Sequence, residues 1–294
     1  SFQQAIDQVC APGGLFEITE TEVRGVRTKV FAGTPQNLRF LYQMAAQRED
    51  EFVVYEEERW TMPEILKLSG QLGSTLINKF SITKGDRVAI AMRNYPEWIA
   101  AFAAITSIGA VAVPLNAWWE PEELGFALND SGAKVVFADT ERIEKILNSN
   151  VNITSLQIIR VRSKSQDNDD TVSLESLLDL DSTMPEVEID PDENATILYT
   201  SGTTGSPKGA VSSHRAILSA LLGFSARAQV AELVEPQKDP SEITQRNSFM
   251  LCVPLFHVTG LIPVMLGSFV GQSKLVMMHK WDPNRALELI EQEQ

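Results

Sequence analysis

Between Arg87 and Val161, short apolar runs alternate with helix-like segments, and few folds accept that alternation. Arg87-Val88-Ala89-Ile90-Ala91 follows the turn Lys84-Gly85-Asp86. A helix is expected next, with Asn94 as its cap, Pro96 in its first turn and Glu97 at the capping-box position. Gly109 should end that helix. Ala110 to Val113 reads as the next strand, Pro121-Glu122-Glu123 opens a helix, and Lys134 to Ala138 is a third strand. Glu141 to Leu147 reads as a helix and Leu156 to Val161 as a fourth strand. Strands that are apolar throughout are buried on both faces. The pattern predicts an α/β fold with a doubly wound sheet.

The flanks add detail. Thr61-Met62-Pro63-Glu64 is a capping box, and Ile65, Leu68, Leu72 and Leu76 recur behind it at helical spacing. Leu38, Leu41, Tyr42 and Ala45 mark an earlier amphipathic helix. Polar stretches at 163–171, 181–193 and 235–247 read as loops. Near the end, Asp282 should cap a helix with Pro283 at its first position and Leu287 and Ile290 on one face. The sequence stops at Gln294 with no closing signal, which suggests a fragment of a longer protein.

Function is most legible at Tyr199 to Gly209, Tyr-Thr-Ser-Gly-Thr-Thr-Gly-Ser-Pro-Lys-Gly, directly after the apolar run Ala195 to Leu198. Glycines let backbone N–H groups converge, hydroxyls add donors, and Lys208 adds a positive charge. Such a loop suits a polyphosphate. It is not the Walker loop, because Lys208 follows Pro207 and precedes Gly209 rather than Ser or Thr. Neither G-x-G-x-x-G nor G-x-S-x-G occurs. A flexible linker is the competing reading, but linkers are not usually pinned between a buried strand and a second apolar segment, here Ala210-Val211.

Charge and cysteine usage narrow the class. The formal net charge is −14, with 39 acidic and 25 basic side chains, which argues against a nucleic-acid partner. Cys10 and Cys252 are too few for a disulfide framework, and no Cys/His cluster has zinc spacing, so a reducing, cytoplasmic setting is expected. Trp98–Trp119 and Asn247–Ser273 are uncharged and long enough to span a bilayer. Their internal Pro and Gly residues suit buried strands and helices better, so no integral membrane segment is expected.

Thr200 to Gly209 resembles the phosphate loop of the adenylate-forming superfamily, which includes acyl-CoA synthetases, luciferases and peptide-synthetase adenylation domains. Pro254-Leu255-Phe256-His257-Val258-Thr259-Gly260 resembles a second signature, Pro-Leu-Phe-His-x-x-Gly, typical of the acyl-CoA synthetase and luciferase branches. Smaller echoes occur at Trp60-Thr61, at Gly85 to Val88 and at Gly109 to Asn116. The resemblance runs from about Asn37 to Asn284.

The resemblance implies an enzyme that joins a carboxylic acid to AMP from ATP, releases pyrophosphate and passes the acyl group to coenzyme A. Ser201, Thr203 and Thr204 would donate to the phosphates, and Lys208 would offset charge in catalysis. Gly202, Gly205 and Gly209 would let the loop approach the nucleotide. Thr200 is either a helper to Mg2+ or an ordinary strand-end threonine. His257 either places the acid near the reacting phosphorus or is a hydrogen-bonded core histidine. His214 and His279 show no partner spacing, and Trp118 and Trp119 either line a pocket or pack.

The implied architecture has two stacked α/β subdomains, one at 72–212 and a second, incomplete one from 1–71 with 213–294. The family's Tyr-Gly-x-Thr-Glu segment, its Gly-Asp downstream of the loop and its late lysine are not found, and these parts, with the C-terminal domain, are expected beyond Gln294. The chain alone is therefore expected not to catalyse adenylation. The best-matched substrate is a fatty or other apolar acid, with acyl-AMP ligases, luciferase-like enzymes and a non-catalytic nucleotide-binding scaffold as alternatives. The reading leaves room for peripheral membrane contact and self-association.

Overall fold

The computed structural model describes residues 1–151, 153, 155–163, 171–200, 207–235 and 247–293. Helix α1 (Phe2–Val9) precedes an antiparallel hairpin, β1 (Ile18–Val23) and β2 (Val26–Phe31). Then come α2 (Leu38–Ala45), β3 (Glu51–Tyr55), β4 (Glu58–Thr61) and α3 (Met62–Asn78). The alternating stretch follows as β5 (Arg87–Ala91), α4 (Pro96–Ser107), β6 (Val111–Pro114), α5 (Pro121–Ser131), β7 (Val135–Asp139), α6 (Thr140–Leu147) and β8 (Gln157–Val161). Next are β9 (Thr171–Ser173), α7 (Leu174–Leu177), β10 (Asn194–Thr200), β11 (Lys208–Ser213) and α8 (His214–Val234). Last are β12 (Ser248–Met250), a π-helical turn (Gly260–Leu266), α9 (Gly267–Val270), β13 (Lys274–Met277) and α10 (Pro283–Gln292).

The larger sheet has the order β11-β10-β6-β5-β7-β8-β9, and only the β10–β11 pair is antiparallel. Its central strands are buried on both faces, as the continuous apolar runs require. Val88 and Ile90 point into one core with residues of α3 and α4, while Ala89 and Ala91 meet α5 and α6 on the other side. The capping box of Thr61 and Glu64 forms as expected, and Gly109 takes the left-handed conformation (φ 72°) just after α4.

The smaller sheet has the order β12-β13-β3-β4, with β12, β13 and β3 parallel. Val53, Tyr55, Leu275 and Met277 face the same core that lies under the larger sheet. Val54 and Val276 face away, against Ala286 and Leu289 of α10.

Three expectations need correction. Asn94 does not cap α4; Tyr95 holds that position without a side-chain cap bond. The Asn94 amide instead bonds the backbone at Val253 and Leu255. Glu97, expected in a capping box, pairs with Arg162. On α10, Leu287 and Ile290 do share a face, but it is the exposed one, at 66% and 55%, because Ala286 and Leu289 carry the packing. The two uncharged stretches fold as α4 with β6 and as β12, the π-helical turn and α9, and most of the first is buried. Among the described residues, α8 is long and apolar enough to cross a membrane.

Candidate functional site

Strands β5, β6, β7, β8 and β10 run parallel, so their carboxyl ends lie along one edge. The chain leaves β5 toward the core of α3 and α4, but leaves β6 toward the opposite core of α5. Adjacent loops that part in opposite directions open a crevice, the usual binding place in such sheets. A cleft of about 350 Å³ lies there. Arg93 and Asn94 after β5 and Trp118 after β6 form one wall. Phe256, His279, Lys280 and Trp281 form the other, from the segments after β12 and β13. Trp118 and Phe256 meet edge to face at 5.4 Å across it. In a chain of net charge −14, no Asp or Glu is among the described residues lining this cleft, while Arg93 and Lys280 are.

Buried ion pairs hold the loops. Asp139 caps α6, accepts from the Arg93 amide at 3.0 Å and pairs with Arg142 at 3.2 Å. Arg142 is 1% exposed and donates to the Ala117 carbonyl at 2.7 Å, so one pair steadies both loops of the crevice. Arg162, at a left-handed φ of 52°, clasps the two sheets. Its guanidinium reaches Glu58 at 2.7 Å and Glu97 at 3.0 Å and lies over the rings of both Tyr55 and Tyr95, at 4.9 and 5.0 Å. Burial works against the Arg162 charge, but the bonds from Glu58 and Glu97 outweigh it and raise its pKa. The Arg162 bond chiefly lowers the pKa of Glu58.

His279 rests on this clasp. Its ring stacks on Tyr95 at 6.2 Å, and its Nδ1 is 3.1 Å from the Tyr55 hydroxyl. Burial, reinforced by Tyr95, raises the Tyr55 pKa far above the physiological range, so the phenol keeps its proton. The Tyr55 hydroxyl and His279 Nδ1 thus share one hydrogen bond that fixes the plane of the imidazole in the wall of the cleft.

The expected site residues divide into groups. Thr200 and Lys208 are exposed cross-strand partners at the end of the β10–β11 hairpin, and the Thr200 hydroxyl donates to the Lys208 carbonyl at 3.5 Å. Gly209 pairs with Tyr199, and a Cβ there would lie 2.7 Å from Cγ2 of Ile197, so strand packing also requires this glycine. Ser201, Gly202, Thr203, Thr204 and Gly205 lie outside the described residues, as do 164–170 and 236–246 of the expected loops. His257 is exposed rather than in the core, although its neighbours are apolar, because its amide closes a turn onto the Pro254 carbonyl at 3.1 Å. A side chain at Gly260 would strike that same carbonyl, which accounts for the glycine that ends the motif. Trp118 lines the cleft, whereas Trp119 packs against Tyr199 at 6.1 Å.

Sequence reasoning missed Tyr55, Tyr95, Arg162 and His279 as one assembly. The partners of His279 lie far away in sequence, so no local spacing could announce them. One signal was available: Arg162 directly follows an apolar strand, at the edge where ligands gather.

A family model described as AMP-binding enzyme matches residues 40–294. 4-Coumarate–CoA ligase 3 of Arabidopsis thaliana is 31% identical over 217 residues, covering 72% of this chain and 36% of that protein. Long-chain-fatty-acid–CoA ligase FadD13 of Mycobacterium tuberculosis is 30% identical over 243 residues, covering 80% of this chain and 43% of that protein. Among solved structures, the inhibitor-bound N-terminal domain of FACL13 from Mycobacterium tuberculosis superposes with a TM-score of 0.70 at 28% identity, covering 88% of this chain and 61% of that one. The fold, with its cleft at the carboxyl edge of the larger sheet, defines an α/β domain of the kind seen in that solved structure. The chain belongs to the AMP-binding enzyme family, and it spans less than half the length of these two curated relatives.

Proposed function

We propose that this chain is the nucleotide- and acid-binding part of an acyl-CoA synthetase that activates a fatty or other apolar carboxylic acid with ATP. The observation that carries this reading is that Thr200 and Lys208, the described stem of one motif, and the Pro254–Gly260 segment of the other stand at one sheet edge. The phosphate loop emerges from β10, and the Pro254–Gly260 segment is tied to the loop after β5.

In this reading Lys208 and the hydroxyl residues Ser201, Thr203 and Thr204 receive the β and γ phosphates. Both reactants are anions, so a fixed cation and fixed donors lower their repulsion and stabilise pyrophosphate as it leaves. His257 orients the carboxylate toward the α-phosphate. Gly202, Gly205 and Gly209 permit close approach of the backbone. Among the described residues no group of three or more His, Cys, Asp or Glu could hold a metal ion. Mg2+ keeps waters and phosphate oxygens as ligands, so the donor set fits a cation that arrives on the nucleotide with the Thr200 hydroxyl as one further ligand. Mg2+ would neutralise phosphate charge there.

Coenzyme A is the acceptor in this reading, and the cleft, whose described lining carries Arg93 and Lys280 and no Asp or Glu, is suited to it. Trp118 and Trp281 offer exposed rings to its adenine, and Arg93 and Lys280 offer cations to its phosphates. The two sheets support a division into α/β units near 72–212 and at 1–71 with 213–294, with α3 crossing the first boundary. Both cysteines are free, in keeping with a cytoplasmic setting.

The test is acid-dependent exchange of labelled pyrophosphate into ATP by the full-length polypeptide that carries this chain. A panel of aliphatic and aromatic acids is used, followed by thioester formation with coenzyme A. Residues 1–294 alone are expected to be silent in it. Exchange with no acid in the panel would refute the reading.

A further inference from the structure

We propose that Asn94 is a positioning residue whose amide fixes the Pro254–Gly260 segment, and with it His257, to the edge of the larger sheet. The claim deepens the function proposed above and rests on that reading for its kinetic consequence. Asn94 stands in the loop after β5, the middle strand of the seven. Its Nδ2 donates to the Val253 carbonyl at 3.0 Å, and its Oδ1 accepts from the Leu255 amide at 2.9 Å. A single planar group therefore reads two peptide units that flank Pro254, a residue with no N–H of its own. Leu255 is fully buried and Val253 half-buried, so neither peptide group is freely served by water. The amide serves these two groups and leaves α4 without a side-chain cap.

The consequence propagates through short steps. The Pro254 carbonyl, held beside this bridge, accepts from the His257 amide at 3.1 Å, and the His257 carbonyl accepts from Leu261 at 2.9 Å. The orientation of His257 thus descends from Asn94 through one turn of backbone. The neighbouring Tyr95 performs the parallel service for the other segment of that wall, stacking on His279. Two consecutive residues therefore register both segments of the facing wall.

Two measurements on the full-length polypeptide test this. The first is hydrogen exchange at the Leu255 amide, resolved by fragmentation mass spectrometry. Asn94→Ala should speed it by about tenfold, the value of one lost hydrogen bond, while the amides of Val88 to Ala91 stay unchanged. Asn94→Asp retains the acceptor for Leu255 but not the donor to Val253, and should retain most of the protection. The second is a double-mutant cycle in acid-dependent pyrophosphate exchange. Asn94→Ala should raise KM for the acid by about tenfold with KM for ATP nearly constant, and its loss should not multiply with that of His257→Ala. Unaltered Leu255 exchange in Asn94→Ala, or losses that multiply fully, would overturn the proposal. If no acid supports exchange even in the unaltered protein, the functional reading falls, and Leu255 exchange alone decides the bridge.

Discussion

Lowering the pH should unfold this protein partly through one residue, His214. It opens α8, is completely buried, and accepts the Leu38 amide on Nδ1 at 3.2 Å. Leu38 begins α2, so the imidazole satisfies an N–H that the helix itself cannot. Charging the ring would place a proton on Nδ1 facing that donor and bury a cation. Burial accordingly depresses its pKa from 6.5 to about 4. A histidine with a depressed folded pKa binds more protons when unfolded. Its contribution is fully present above pH 6.5 and falls away as the pH drops toward 4. The whole depression corresponds to about 3 kcal/mol, of which about 2 kcal/mol is lost between pH 7.5 and 5. Urea unfolding at those two pH values, compared between the native chain and His214→Asn, isolates this contribution from all other titrations. Asn can still accept from Leu38 but cannot charge. The native chain should lose about 2 kcal/mol more than the variant over that interval; equal losses would refute the assignment.

Arg162→Met should destabilise by about 2 kcal/mol, a figure reduced for the exposure of Glu58, and Arg162→Lys by less, as read by urea melts; neutrality of both would show that the clasp contributes nothing. Gly209→Ala should cost about 1–3 kcal/mol by crowding Ile197, and Ile197→Leu, which removes the Cγ2 methyl, should recover part of it in the double variant. Leu287→Glu with Ile290→Lys should change stability by less than about 0.5 kcal/mol, and a larger loss would mean that the face is covered in the intact protein.

The larger sheet was legible because its strands are buried twice over, and such burial leaves runs like Val135 to Ala138 that no amphipathic helix would carry. The end of β10 was legible because the apolar run Ala195 to Leu198 leads into it, whereas the hairpin that pairs Thr200 with Lys208 was not, because cross-strand pairing leaves no local pattern. Asn94 was misread because cap and bridge use the same side-chain atoms, and only the distant peptide groups at 253 and 255 decide between them. His279 was passed over for the same reason. The exposed side of α10 was invisible because Leu287 and Ile290 look no different, in one dimension, from core residues.

The apolar core that lies beneath both sheets has a mechanical corollary. Val88 and Ile90 share it with Val53 and Leu275, so the two halves are not beads on a string. Neither can loosen without wetting the other's floor, and the crevice above them is only as rigid as their common foundation.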